Sequence, residues 1–470
     1  MENKRKLIID IFERNPNLFI DLISQYYPIP ERLINNYSNK WNWRNLSINK
    51  SLPKSLDFFK TYENKLNWLY LSKNKFLPCS LEIIEKYEDK WHWVSLSENI
   101  SLLWTDEIIE KYKDKWEWER FSHNKSLPWS AEFIEKYHDK WNWSWTWLNV
   151  NKYLPWDIEI FDNYKNKRLW KIFSQYEFLP WTVELIEKYE DKWDWDDLSG
   201  NKALPWSIEF FEKYKNKWDW RRLSFIKSLP WSVEFFEKYE HKWNWYNLSG
   251  NESLPWSVEF FEKYEDKWDW YQLSGNKSLP WSVDFFEKYK DKWSWFAFSK
   301  NKSLPWSMEL IEKYENKWSW YHLSTNEFLP WSIELIEKHQ EDWGWFDLSR
   351  NESLPKSSVL IEKFKDKWDW ECLSEKKSLP WSLEFLEKFK DKWQWYYHLS
   401  NNESLPWSSV LIETFQDKWD WHRLSNNKSI PWSISLVHKF AENIVCSFLI
   451  YQTLQPFLDN ELIEDILTSK

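Results

Sequence analysis

Apolar positions along this chain follow a helical spacing that is interrupted at regular intervals. In the segment Pro255 to Leu279, PWSVEFFEKYEDKWDWYQLSGNKSL, Phe260, Phe261, Tyr264 and Trp268 fall at offsets of one, four and eight. That spacing gathers side chains on one helix face. Pro255 forces Leu254 out of the helical region, Ser257 can cap the amides that follow, and Glu259 sits in the first turn, where the helix dipole favours negative charge. The solvated side is expected to carry i,i+4 ion pairs: Glu259/Lys263, and likewise Glu209/Lys213, Glu234/Lys238, Glu309/Lys313 and Glu334/Lys338.

The second half of the segment predicts a shorter helix starting at Asp266. Its amino-terminal cap is the recurring Asp or Asn, as in Asn216, Asp291, Asn316, Asp366 and Asp391. Gly200, Gly250 and Gly275 each follow Leu-Ser directly and are expected to close this helix in the left-handed conformation. A strand at Trp268-Asp269-Trp270 is the competing reading, since apolar and polar residues alternate there. Leu273 opposes it: a strand puts Leu273 and Trp270 on opposite faces, whereas a helix sets them one turn apart on the same side.

The segment is one copy of a tandem repeat. From Pro28 to Pro431 a proline, replaced once by Leu103, recurs every 25 residues, apart from a two-residue insertion before Pro155 and a one-residue insertion before Pro406. Both insertions fall between the Trp-x-Trp pair and the next proline, which reads as a loop. Helices this short are marginal alone, so each pair must lean on its neighbours. The expected fold is all-α, an α-solenoid or superhelix of about 16 tandem helix-turn-helix repeats. Residues 1–27 read as an amino-terminal helical cap, 28–440 as the repeats and 441–470, which lack tryptophan, as a carboxy-terminal helical cap.

The run LPWSVEFFEKYEDKWDWYQLSGN resembles the tryptophan-rich tandem-repeat proteins, whose unit of about 25 residues reads LPWSxEFxEKYxDKWDWxxLSxN. The resemblance spans roughly residues 28 to 440 and implies an α-solenoid-like fold, with no activity, cofactor or partner attached to it. Unit length and residues differ from tetratricopeptide, ankyrin and HEAT repeats, so the partners of those repeats do not carry over.

Composition explains how such short helices find a core. The chain holds 45 Trp, 30 Phe and 23 Tyr against 4 Gly and 2 Met, and aromatic rings supply a large apolar area per residue. Its 64 basic and 74 acidic residues are intermixed, for a net charge of −10, which argues against duplex nucleic acid as a partner. No run of about 18 apolar residues calls for membrane insertion, and MENKRKLIIDIFERN does not read as a signal peptide. Cys79, Cys372 and Cys446, widely separated and odd in number, point to a reducing compartment, the cytoplasm.

No catalytic residue, metal ligand or cofactor is assigned. Phosphate loops, HExxH, Cys-x-x-Cys and Gly-x-Ser-x-Gly are all missing from the sequence, and His92, His138 and His241 stand in different columns of their repeats. Glu262 recurs in nearly every unit and reads as a solvated column, not as a singular acid. Trp206, Trp218, Trp220, Trp256, Trp268 and Trp270 are assigned to the structural core because they repeat at fixed columns in most units; the competing use is as stacking platforms for sugars, bases or proline-rich peptides.

The two positions after Trp-x-Trp vary most, and in the middle of the array the first becomes a run of aromatics: Tyr246, Tyr271, Phe296, Tyr321 and Phe346. These are the partner-binding candidates. The competing reading makes the first position half-buried and the second unconstrained surface. The expected function is a non-catalytic scaffold presenting an extended surface to a protein or peptide; the alternatives are a self-assembling structural protein and a glycan-binding module with aromatic platforms.

Overall fold

The computed structural model describes residues 2–76, 81–137, 139–141 and 167–468. Pro78, Cys79, His138 and the insertion before Pro155 lie outside them. Among the described residues the chain forms 34 α-helices, two short 3-10 helices and no strand, which makes the fold all-α.

The repeat beginning at Pro255 shows why. Ser257 caps the first helix, Val258–Lys263, its hydroxyl accepting the Phe260 N–H at 3.0 Å. Tyr264 ends that helix and a turn follows. The second helix is Trp270–Gly275, and its cap is Asp269, whose carboxylate accepts the Gln272 N–H at 2.8 Å. Asp219, Asn244 and Asp369 cap equivalent helices. The expected start at Asp266 is therefore three residues early, and Asn216, Asp291, Asn316, Asp366 and Asp391 all lie in the preceding turn. A contact between repeats fixes the start instead: the Asp269 N–H donates to Ser249 Oγ of the preceding repeat at 2.9 Å.

The helix end also differs from expectation. No described residue has a positive φ, and Gly250 sits in the right-handed region at φ −90°. The chain leaves the second helix because Asn276 adopts φ −73° and ψ 123°, where its side chain reaches backward. Asn276 Nδ2 donates to Ser249 O at 3.0 Å and Asn251 O at 3.4 Å, while its Oδ1 accepts the Ser278 N–H at 2.9 Å.

Two ladders of buried polar side chains therefore join successive repeats. In one, Ser274 Oγ donates to Trp270 O at 2.6 Å and accepts the Ser294 N–H at 2.9 Å. The other is the asparagine column, exemplified by Asn251, Asn276, Asn301, Asn326 and Asn351. Each such bond contributes about 1 kcal/mol net, and losing one partner of a buried pair costs more than the bond contributes.

Rings fill the space between these ladders. Trp268, 4% exposed, donates its indole N–H to Phe261 O at 3.0 Å, and Phe261 packs edge-on against Phe285 of the next repeat at 4.9 Å. Outside, lysines of one first helix meet glutamates of the preceding one, as in Lys288–Glu262 at 2.5 Å and Lys313–Glu287 at 2.7 Å. Lys213, Lys238, Lys263 and Lys338 likewise reach back to Glu187, Glu212, Glu237 and Glu312, in place of the expected pairing within a helix. Glu234, Glu259 and Glu334 turn toward their own helix start, where their own backbone N–H and the cap serine lower their pKa.

The insertion before Pro406 falls where other repeats place the second helix, and here residues 395–398 form turns followed by the 3-10 helix Leu399–Asn401. Leu399 N–H bonds Gln394 O and Ser400 N–H bonds Trp395 O, both at 3.0 Å, so the backbone spans five residues per bond and bulges at Tyr396 and Tyr397.

The chain divides into two compact units, Met1–Pro155 with Trp381–Lys470, and Trp156–Pro380. Within the first unit the two ends of the chain meet. Helix Glu2–Arg14 packs on Ile434–Lys439, and Pro16–Tyr26 packs on both Phe448–Leu454 and Trp43–Ser47. Asn15 Nδ2 donates to Ala441 O at 2.8 Å and Ile444 O at 3.0 Å, and Arg32 grips Glu464 with two bonds of 2.8 and 2.9 Å. Ser24 begins the serine ladder, accepting the Asn42 N–H at 3.1 Å. The segments read as two separate shields thus cover each other. The second unit carries the aromatic run.

Candidate interaction surface

Leu273 and Ser274 point into the core and Asn276 turns back toward the preceding repeat, which leaves the opposite side of the second helix to solvent. Tyr271 occupies that side. Tyr246, Tyr271, Phe296, Tyr321 and Phe346 are 53%, 53%, 47%, 59% and 53% exposed, so none is a half-buried packing residue. Each stands at the same place in its helix, and Cα atoms of successive second helices in this stretch approach within 8 Å. The five rings therefore form one column in a single compact unit. Single exposed apolar residues are ordinary on protein surfaces; a row of five large rings is not.

The neighbouring position behaves differently. Asn247 and Ala297 are buried, and Gln272, His322 and Cys372 are half-buried. Asn247 Nδ2 donates to Arg221 O of the preceding repeat at 2.8 Å, and the His322 ring meets Phe296 edge-on at 4.4 Å. The reading that made the first position half-buried and the second free surface is thus reversed. Burial, then the charge of Lys300, lowers the His322 pKa. Burial pushes the Cys372 thiol up to about 11, with a hydrogen bond to Asp369 adding to it, so this thiol stays protonated at neutral pH.

Cations sit over two rings of the column, Lys300 at 4.3 Å from the Phe296 centroid and Arg350 at 5.5 Å from Phe346. Beside Tyr246 and Tyr271 the equivalent positions are Gly250 and Gly275. A Cβ on Gly275 has nothing within 4 Å, so that ring is open on its flank. The column is bounded by exposed Arg221 on one side and exposed Glu371 on the other.

The tryptophans assigned to the core are engaged within the protein. Trp218 and Trp268 are buried. Trp206 and Trp256 are half-buried, donate to Asn201 O at 3.1 Å and Asn251 O at 2.9 Å, and lie against Trp218 and Trp268. Trp220 and Trp270 bridge to the next repeat, edge-on to Trp243 at 4.9 Å and Trp293 at 4.7 Å.

One irregularity went unread in the sequence. Lys376 replaces the ladder asparagine, donating to Ser349 O at 3.1 Å and Asn351 O at 2.6 Å, and burial lowers its pKa to about 8. It lines a cavity of about 350 Å3 with Arg350, Glu352, Cys372 and Glu375. Among the described residues no cluster of His, Cys, Asp or Glu is arranged to hold a metal ion, and no helix is long and apolar enough to cross a membrane. Compared with known proteins, the chain matches no family model, no curated protein and no solved structure.

Proposed function

We propose that this tryptophan-rich helical repeat protein is a non-catalytic scaffold whose second helices, stacked as an α-solenoid, present the column Tyr246, Tyr271, Phe296, Tyr321 and Phe346 to a protein or extended peptide. The exposure of all five rings in one register carries this reading. Rigid aromatic side chains held by a packed scaffold lose little conformational freedom on binding and make good anchors. Free thiols at Cys372 and Cys446 fit a reducing cytoplasm. A non-catalytic role accords with carboxylates that recur from unit to unit in lysine pairs, such as Glu262 with Lys288 and Glu287 with Lys313.

Two competing readings are less well supported. Tryptophan platforms for glycans need exposed indole faces, yet Trp218 and Trp268 are buried and Trp256 lies against Trp268. End-to-end assembly needs open terminal faces, and here the terminal helices pack on each other. The test is selection of a displayed random-peptide library on the full-length protein and on the Tyr271→Ala, Tyr321→Ala double variant. Enrichment by the parent alone, at equal melting temperature, is the expected result; equal enrichment by both removes the column from the reading.

A further inference from the structure

The column carries one ring per packed second helix and has two ends of opposite charge, and both restrict what lies along it. Directly packed helices have axes about 8–10 Å apart. A polyproline II helix advances about 9 Å per three-residue turn, so every third residue keeps step with successive rings. On a β-strand, side chains of one face recur at about 6.7 Å and fall out of step by the second ring. Five rings in register take about 13 residues of polyproline II.

The local chemistry agrees. Gly275 leaves the flank of Tyr271 open to a flat pyrrolidine ring. A polyproline II backbone makes no internal hydrogen bonds, so its carbonyls need donors, and no other described residue engages the hydroxyls of Tyr246, Tyr271 or Tyr321. Arg222 is tied to Asp197 at 2.7 Å, whereas the neighbouring Arg221 is exposed where the column begins, and exposed Glu371 stands where it ends.

We infer, resting on the peptide-binding reading above, that the ligand is a proline-rich peptide whose polyproline II core of about 13 residues spans the five rings, with an acidic group beyond one end beside Arg221 and a basic group beyond the other beside Glu371.

Four fluorescein-labelled peptides titrated into the full-length protein test this by anisotropy. The first has four Pro-Pro-Ala triplets with two Glu at one end and two Lys at the other. The second and third carry the same core with Glu at both ends or Lys at both ends. The fourth keeps the first peptide's ends around a Gly-Ser core. The first is expected to bind about tenfold more tightly than each of the others, a difference of about 1.4 kcal/mol. Arg221→Glu moves the preference to the peptide with Lys at both ends. The Tyr271→Ala, Tyr321→Ala variant loses binding of the first peptide with an unchanged melting temperature. Equal affinity for the Gly-Ser peptide overturns the polyproline assignment and leaves peptide binding standing. Affinity that ignores the end charges overturns the polarity. Binding of a cellulose-derived hexasaccharide, titrated in parallel, with no binding of any of the four peptides overturns both the inference and the reading beneath it.

Discussion

The central repeats and the junction of the chain ends are both stacked helices, yet they hold together differently. Between central repeats the buried joining side chains address main chain: Asn276 bonds two carbonyls of the preceding repeat and Ser274 accepts a backbone N–H of the next, while the exposed pairs, such as Lys288 with Glu262, use the same two residue types from unit to unit. At the junction side chains meet side chains as well: Arg32 with Glu464, Arg5 with Asp465, and His438 with Asp10 at 2.7 Å. A carbonyl is available whatever residue bears it, so the central interface tolerates any similar neighbour. The junction requires its own partner. The repeated interface thus supplies cohesion, and the junction supplies selectivity.

Substitutions separate these two kinds of interface. The largest effect is expected from Trp268→Ala, which empties a buried indole site and removes the bond to Phe261 O; urea unfolding should show a loss of about 3–5 kcal/mol. Asn276→Ala leaves the buried Ser249 carbonyl without its donor and Asn251 O with the Trp256 indole N–H alone, and should cost about 2 kcal/mol. Its junction counterpart Asn15→Ala frees the Ala441 and Ile444 carbonyls in a half-buried setting and removes the cap on the Leu18 N–H, and should cost about 1–2 kcal/mol. If Asn15→Ala costs more than Asn276→Ala, the junction and not the ladder dominates cohesion.

Lys376→Asn restores the ladder and should stabilise the protein at pH 7 by on the order of 2 kcal/mol. Lys376 titrates at about 8 in the folded chain against 10.5 for an ordinary lysine, so between those values the unfolded chain binds the extra proton. Its contribution to stability therefore improves as pH rises from about 8 to 10.5, and Lys376→Asn should remove that rise from denaturation curves compared at pH 7 and 10. Tyr271→Ala, at a 53% exposed site, should fall within about 0.5 kcal/mol of the parent; a larger loss makes the column a packing feature.

The period, the serine caps of the first helices and the burial of Trp268 were legible because each depends on residues within one unit. The start of the second helix was not. Asp266 and Asp269 are equally good capping residues, and the choice between them rests on a hydroxyl 20 positions upstream, Ser249. The same holds for Lys263, which has a suitable glutamate at i−4 but pairs with Glu237 across the stack. Local propensity cannot rank partners that only stacking brings near. The asparagine ladder did leave a signal, an asparagine that recurs in the Leu-Ser-x-Asn column of most units, with Tyr176, Ile226 and Lys376 as exceptions. Its meaning needed the neighbour's carbonyls. The meeting of the ends left no signal of that kind, since residues more than 400 positions apart share no pattern. The exposed column was read from variation alone, and the structure adds its exposure and register.

The amide of each ladder asparagine asks nothing of the neighbouring repeat but two main-chain oxygens in the right place. Whole units are consequently interchangeable parts: a duplication or deletion of one complete copy brings together surfaces that already fit. Such a chain can change the length of its exposed aromatic column by gene recombination in single-repeat steps, without having to evolve a new core each time.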